Sequence, residues 1–180
     1  MADHLGLDPG RIARLRSSER LEYFDPDRIW EVLDPAPDCT LIDIGTGVGF
    51  IALPFARRYP GSSVYGCDIL GGMIDLLRED AGAQGLSNVA GILMEPNSVD
   101  LPEGVADIIV MAQLHHELDE PASLLVECRR LLAPKGIVAI IDWKDEENGK
   151  SPPVGRRVPE AELHTQLEKA GFADLERHDI

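Results

Sequence analysis

Short apolar runs rich in branched residues alternate along this chain with longer stretches whose apolar residues recur every three or four positions. Runs of the first kind predict strands at 40–44, 63–67, 89–94, 106–112, 136–143 and 174–180. Stretches of the second kind predict helices between them. The segment 72–84 carries Met73, Leu76, Leu77 and Ala81 at helical spacing, Pro121 suits a first helical turn, and Gly171 suits the position just past a last one. Alternating strands and helices argue for an α/β fold around a parallel sheet. Pro54 falls inside the helix expected after the first strand, where a missing backbone donor predicts a kink.

Before the first strand, 12–33 mixes charges with Leu15, Leu21, Tyr23, Phe24, Ile29 and Trp30, which reads as a helical layer. The stretch 145–159 holds Gly149, Ser151, Pro152, Pro153 and Gly155 and reads as a loop longer than an ordinary connection. The expected organisation is one domain over 1–180, with a helical cap over 1–38 and an α/β core over 39–180.

Composition narrows the partners. At 44% hydrophobic the chain is ordinary globular material, and its net charge of −15 disfavours a phosphate backbone or an anionic membrane surface as a partner. No apolar run approaches the roughly 18 residues of a membrane span and the start lacks a signal pattern, so a cytoplasmic location is expected, with no nucleic acid and no membrane as partners. Cys39, Cys67 and Cys128 are widely spaced, without a C-x-x-C pair, which indicates neither a disulfide framework nor a thiolate metal site.

The chemistry concentrates where the first strand runs into Asp43-Ile44-Gly45-Thr46-Gly47-Val48-Gly49. Glycines there permit positive φ and close approach of a ligand to main-chain amides. A dinucleotide fingerprint beginning at Gly45 needs its third glycine at position 50, which is Phe50, and this weakens a nicotinamide-dependent oxidoreductase reading. Asp68 lies 19 residues after Gly49, at the end of the second strand, where a carboxylate can accept from both hydroxyls of a ribose. Further on, the strand 107–112 runs into Gln113-Leu114-His115-His116-Glu117, and Leu131-Leu132-Ala133-Pro134-Lys135-Gly136 precedes the strand that ends Asp142-Trp143-Lys144.

In that order and spacing these segments resemble motifs I, post-I, II and III of the class I S-adenosylmethionine-dependent methyltransferases, in particular the ubiquinone/menaquinone-type small-molecule group, over roughly residues 20–172. The resemblance implies a single Rossmann-like doubly wound sheet, mostly parallel, with helices on both faces. It also implies methyl transfer from S-adenosylmethionine to a small-molecule acceptor, with S-adenosylhomocysteine as product. The family usually ends in a seventh, antiparallel strand; this chain stops after the sixth, so the expectation is that the seventh is missing or that the chain is truncated. The uncovered edge favours pairing with another chain, as in a homodimer, or some rearrangement of the last segment.

Roles carried over by the resemblance are these. Gly45, Thr46, Gly47 and Gly49 would meet the amino-acid end of the cofactor, Asp43 its ammonium group, and Asp68 the ribose hydroxyls. Ile69 would pack on the adenine, Glu95 or Asn97 would meet its amino edge, and Gln113 would complete the cofactor site. Tyr23, Trp143 and Lys144 would border the acceptor pocket, and the cap would lie over the cofactor. Each has an ordinary alternative: Asp43 and Asp68 as helix or turn caps, Lys144 as a solvated charge, the helical layer as cover for sheet edges. His115 and His116 follow the fourth strand at the carboxyl end of the sheet, where a neutral imidazole could take a proton from the acceptor; one of them could instead cap the turn. No ligand set with metal-site spacing accompanies them, so no metal is expected. A binding module that has lost transferase activity, or needs a partner for it, stays as the second reading.

Overall fold

The computed structural model describes residues 8–22, 24–144, 152–153 and 155–179. Five parallel strands, β1 (Thr40–Ile44), β2 (Ser63–Asp68), β3 (Val89–Leu93), β4 (Ala106–Ala112) and β5 (Leu132–Ile141), form one sheet in the order β3-β2-β1-β4-β5. Ile44 pairs with Cys67 on one side and Met111 on the other, so the carboxyl ends of the central strands lie level, where the order reverses. That is where an open α/β sheet binds its ligand.

Strand alternation decides which residues face which helices. Leu41, Ile108 and Val110 point to one face and pack with Trp30, Phe55 and Leu77 from the helices α2 (Pro26–Leu33), α3 (Ala52–Arg58) and α4 (Gly71–Ala83). Ile42, Ile44, Ile109 and Met111 point to the other, against Leu124, Cys128 and Leu167 from α5 (Pro121–Leu131) and α6 (Glu160–Lys169). By the same alternation Asp43 belongs to the α3 face.

The cap comprises α1 (Pro9–Leu15), a 3-10 turn over Ser18–Glu22, and α2. Its helices start where expected of their chemistry: Asp8 and Asp25 accept from the amides of Arg11 and Asp27, each followed by proline in the first turn. Arg16 Nη2 reaches Asp80 Oδ2 at 2.7 Å and ties the cap to α4.

Three expectations are corrected. Pro54 produces no interior break: α3 begins at Ala52, so Pro54 occupies the first turn, where the missing N–H has no intrahelical partner to lose. The last strand does not form over the described part of 174–180. Asp174 has φ +55°, outside any strand conformation, and Phe172 and Leu175 pack onto the α5 face of the sheet instead. Third, β5 starts at Leu132 rather than 136, because the Pro134-Lys135-Gly136 segment is absorbed as a register shift between the pairs Ala106–Leu132 and Ile108–Ile137. The sheet therefore has neither a sixth nor a seventh strand among the described residues, and β5 is an edge on which Ile137 is 47% exposed. No helix among the described residues is long and apolar enough to cross a membrane.

Candidate functional site

The corner after β1 is built from hydrogen bonds that cross to β2. The amides of Gly45 and Thr46 both donate to the Cys67 carbonyl, at 2.8 and 3.0 Å. Gly45, Gly47 and Gly49 have φ of +73°, +53° and +80°, a left-handed geometry that suits glycine. Their roles differ. A methyl group at Gly45 would lie 2.9 Å from Leu114 Cδ2 and one at Gly49 2.5 Å from Leu77 Cδ1, so both positions are closed by packing. At Gly47 it would meet nothing within 4 Å. The tip of the loop alone opens onto free space.

Asp43 sits beneath this loop, 1% exposed. Its Oδ2 accepts from Thr46 Oγ1 at 2.7 Å and from the Ala52 amide at 3.2 Å, so it fastens the loop to the start of α3. Burial pushes its carboxyl up to about 7, against the lowering effect of those two bonds. Asp68 lies higher, at the end of β2. Its Oδ2 accepts from the Gly47 amide and its Oδ1 from the Leu70 amide, both at 2.9 Å. Burial raises its pKa as well, with the amide bonds opposing. Ile69, next to it, leaves an apolar surface 37% exposed beside the loop tip.

The remaining expected positions gather around the same edge with different partners. Glu95 and Ser98 bridge backbone to backbone in the turn after β3, and Asn97 Nδ2 donates to Glu120 Oε2 at 3.2 Å. Gln113 follows β4 with φ +54°, its amide donating to the Ile141 carbonyl. Its side-chain oxygen accepts from Arg20 Nη2 at 3.1 Å. Lys144 is paired with Asp179 at 3.0 Å on an exposed surface. Tyr23 lies outside the described residues, as do 145–151 and Val154 of the long loop. Among the described residues no cluster of three or more metal-ligating side chains occurs.

His115 and His116 divide. His115 is buried, with Nε2 2.7 Å from Gln166 Oε1 of α6, and its Nδ1 has no partner among the described residues. His116 turns to the end of β5, with Nδ1 2.7 Å from Asp142 Oδ1. Asp142 also accepts from the amides of His116 and Trp143, at 3.0 and 2.8 Å.

Two residues escape a reading of the sequence. Arg20 comes from the cap, its guanidinium 3.9 Å over the Phe50 ring while it bonds Gln113, and Phe24 stacks on the same ring at 5.5 Å. Nothing in a segment full of charges marks it. Asp142 was visible as an acid at a strand end, the signal that singles out Asp68, but only the fold puts it against His116. A groove of about 790 Å³ also lies between the cap and α3, lined by Leu15, Leu21, Phe50 and Leu53; it reaches neither Asp43 nor Asp68.

Residues 42–140, from within β1 to within β5, match the family model described as a methyltransferase domain. The chain belongs to the S-adenosylmethionine-dependent methyltransferases. A solved S-adenosylmethionine-dependent methyltransferase from Aquifex aeolicus is 36% identical and superposes with a TM-score of 0.86 over 92% of this chain and 89% of that one. Nocamycin O-methyltransferase of Saccharothrix syringae is 28% identical over 72% of this chain, and a demethylmenaquinone methyltransferase of Thermus thermophilus 29% identical over 72%. This methyltransferase spans 48% and 61% of the length of those two curated relatives. Its corner suits the family's cofactor on structural grounds: a Cβ at Gly47 would meet nothing within 4 Å, the Asp68 carboxylate accepts from the Gly47 amide, and Ile69 next to it is 37% exposed.

Proposed function

We propose that this methyltransferase transfers a methyl group from S-adenosylmethionine to a small-molecule acceptor. The observation that carries the reading is the Asp68 carboxylate, held by the Gly47 and Leu70 amides at the one point where the glycine loop opens. The cofactor supplies a methyl group already activated on a sulfonium, so the protein's work is chiefly alignment. Asp68 accepts from the ribose hydroxyls and Ile69 packs against the adenine, whose amino edge meets Glu95 or Asn97. Gly45, Thr46, Gly47 and Gly49 face the amino-acid end with Gln113. Asp43 acts on that end through the loop it fastens, and Arg20, beside Gln113, brings the one cationic side chain of this set to the cofactor's carboxylate.

The acceptor enters from the side of Trp143 and Lys144, with Tyr23 as a further member of its pocket. Of the two histidines, His116 faces the acceptor and His115 anchors the turn to α6. The names of the nocamycin and demethylmenaquinone relatives support a small organic acceptor, and the net charge of −15 supports no nucleic acid. The cap and core work as one unit in the cytoplasm, and the free edge of β5 with its exposed Ile137 supports pairing into a homodimer.

Calorimetric titration of S-adenosylhomocysteine into the wild type and Asp68→Ala tests the site, with NADH as a parallel ligand. Micromolar binding that weakens about tenfold or more in Asp68→Ala is expected, the order of a lost hydrogen bond to a charged group. Equal affinity in both proteins, or binding of NADH alone, would overturn the reading.

A further inference from the structure

We infer that α5 holds the turn that meets the adenine: Glu120 and the Glu127–Arg130 pair are positioning residues that fix Asn97 as an acceptor for the exocyclic amine, so that the site selects adenine over a 6-oxopurine. This deepens the proposed methyl transfer and rests on it. The turn leaves β3 beside the ribose acid, since the Met94 amide donates to the Asp68 carbonyl at 3.0 Å. It closes between Glu95 and Ser98, the Glu95 amide donating to the Ser98 carbonyl at 3.0 Å and the Ser98 amide to the Glu95 carbonyl at 3.2 Å. Asn97 stands at its tip, and Val99 follows directly.

Side chains of α5 grip Val99 at both of its backbone polar atoms. Its amide donates to Glu127 Oε1 at 2.8 Å, and its carbonyl accepts from Arg130 Nη2 at 3.0 Å. Arg130 Nη1 reaches the Leu101 carbonyl as well, at 3.0 Å. The guanidinium is itself held by Glu127, which accepts from its Nε and its Nη2, both at 2.7 Å. Those bonds hold the Glu127 carboxyl below its usual range, against the effect of burial, so the pair stays charged. A planar fork that bridges two carbonyls sets Val99 and Leu101 in one arrangement, and with them the turn that ends one residue earlier.

Glu120 acts on the side chain where Glu127 and Arg130 act on the backbone. It is the N-cap residue of α5, yet among the described residues its side chain makes no capping bond to its own helix. Its Oε2 instead accepts from Asn97 Nδ2 at 3.2 Å and from Ser123 Oγ at 3.3 Å. With its NH2 turned to Glu120, the Asn97 amide presents Oδ1, an acceptor, on its other side. Glu95 meets Ser98 through its backbone, so Asn97 is the member of the turn whose side chain α5 orients. Adenine offers an amine at this edge, which pairs with Oδ1. A hypoxanthine offers a carbonyl there, and two acceptors face to face leave both unpaired.

Calorimetry on the full chain tests this with S-adenosylhomocysteine, its 6-oxo analogue S-inosylhomocysteine and the base-free S-ribosylhomocysteine. The wild type should bind S-adenosylhomocysteine about tenfold or more tighter than S-inosylhomocysteine, the order of one hydrogen bond. Glu120→Ala removes an exposed carboxylate, and Arg130→Lys keeps a charge beside Glu127 while losing the fork, so both variants are expected to fold. Each should reduce that preference by about threefold or more, with S-ribosylhomocysteine affinity within about twofold of wild type. Asn97→Ala should abolish the preference, and adding Glu120→Ala to it should change the preference no further. A merely structural role would weaken all three ligands together and leave the preference as it was. An unchanged preference in either positioning variant, equal wild-type affinity for the two purine ligands, or a further change when Glu120→Ala joins Asn97→Ala would each overturn the inference. Failure of the wild type to bind S-adenosylhomocysteine would overturn the proposed methyl transfer with it.

Discussion

The Gly47 amide donates to Asp68 Oδ2 at 2.9 Å, so the tip of the glycine loop and the end of β2 share one carboxylate. Asp68 is 9% exposed and also holds the Leu70 amide ahead of α4. The side chain proposed to meet the ribose is therefore also the one that shapes the loop beneath it.

Removing that carboxylate should loosen the loop before any ligand is added. In Asp68→Ala the Gly47 and Leu70 amides should exchange with solvent about tenfold faster or more, while Asp68→Asn, which keeps an acceptor oxygen, should lie between Asp68→Ala and wild type. Hydrogen exchange on the free protein checks this.

Asp43 makes stability depend on pH. Its folded carboxyl titrates at about 7, raised by burial, against an unfolded value of about 4. Between those values the folded state binds more protons than the unfolded one, so stability falls as pH rises from about 4 to about 7, by an amount on the order of a few kcal/mol. Asp43→Asn retains an acceptor for Thr46 and Ala52 and should flatten that slope. Urea unfolding at several pH values from 4.5 to 8 checks both.

Gly47 and Gly49 should fail in different ways. A methyl group at Gly49 meets Leu77 Cδ1 at 2.5 Å and Leu53 Cγ at 2.8 Å with φ at +80°, so Gly49→Ala should lose about 1–3 kcal/mol of folding stability or more. At Gly47 the space is open, so Gly47→Ala should lose about 1–2 kcal/mol from its φ alone, and its larger effect should be on S-adenosylhomocysteine affinity. Chemical denaturation and calorimetry, run side by side, separate the two.

Arg20 holds the cap to both sides of the corner through Phe50 and Gln113. Arg20→Ala should free the 3-10 turn more than it destabilises the whole, with global stability down by about 1–2 kcal/mol. Limited proteolysis of the cap should accelerate several-fold, and cofactor should protect the wild type better than the variant.

Much of the site was legible because its signals are local. The acid at the end of β1, the glycines after it and the acid at the end of β2 each carry a chemical requirement in the residue itself, and short-range spacing places them at strand ends. Pro54 and the segment after Gly171 were misread for the converse reason. Whether a proline breaks a helix depends on where the first turn begins, and whether 174–179 forms a strand depends on Asp174, whose left-handed backbone turns the chain aside as Phe172 and Leu175 bury.

By itself the sequence determined the order of strands and helices, the glycine corner and the two acids that bracket it, since periodicity, backbone freedom and ionisable groups are written residue by residue. Tertiary structure alone decided that Asp43 is buried under the loop while Asp68 faces its opening, that Arg20 crosses from the cap to Gln113, and that Asp142 takes His116 rather than His115. The bonds Gly47–Asp68, His116–Asp142 and Arg20–Gln113 join residues 21 to 93 positions apart, set by which face each strand turns to which helix and by how the parallel strands stand side by side.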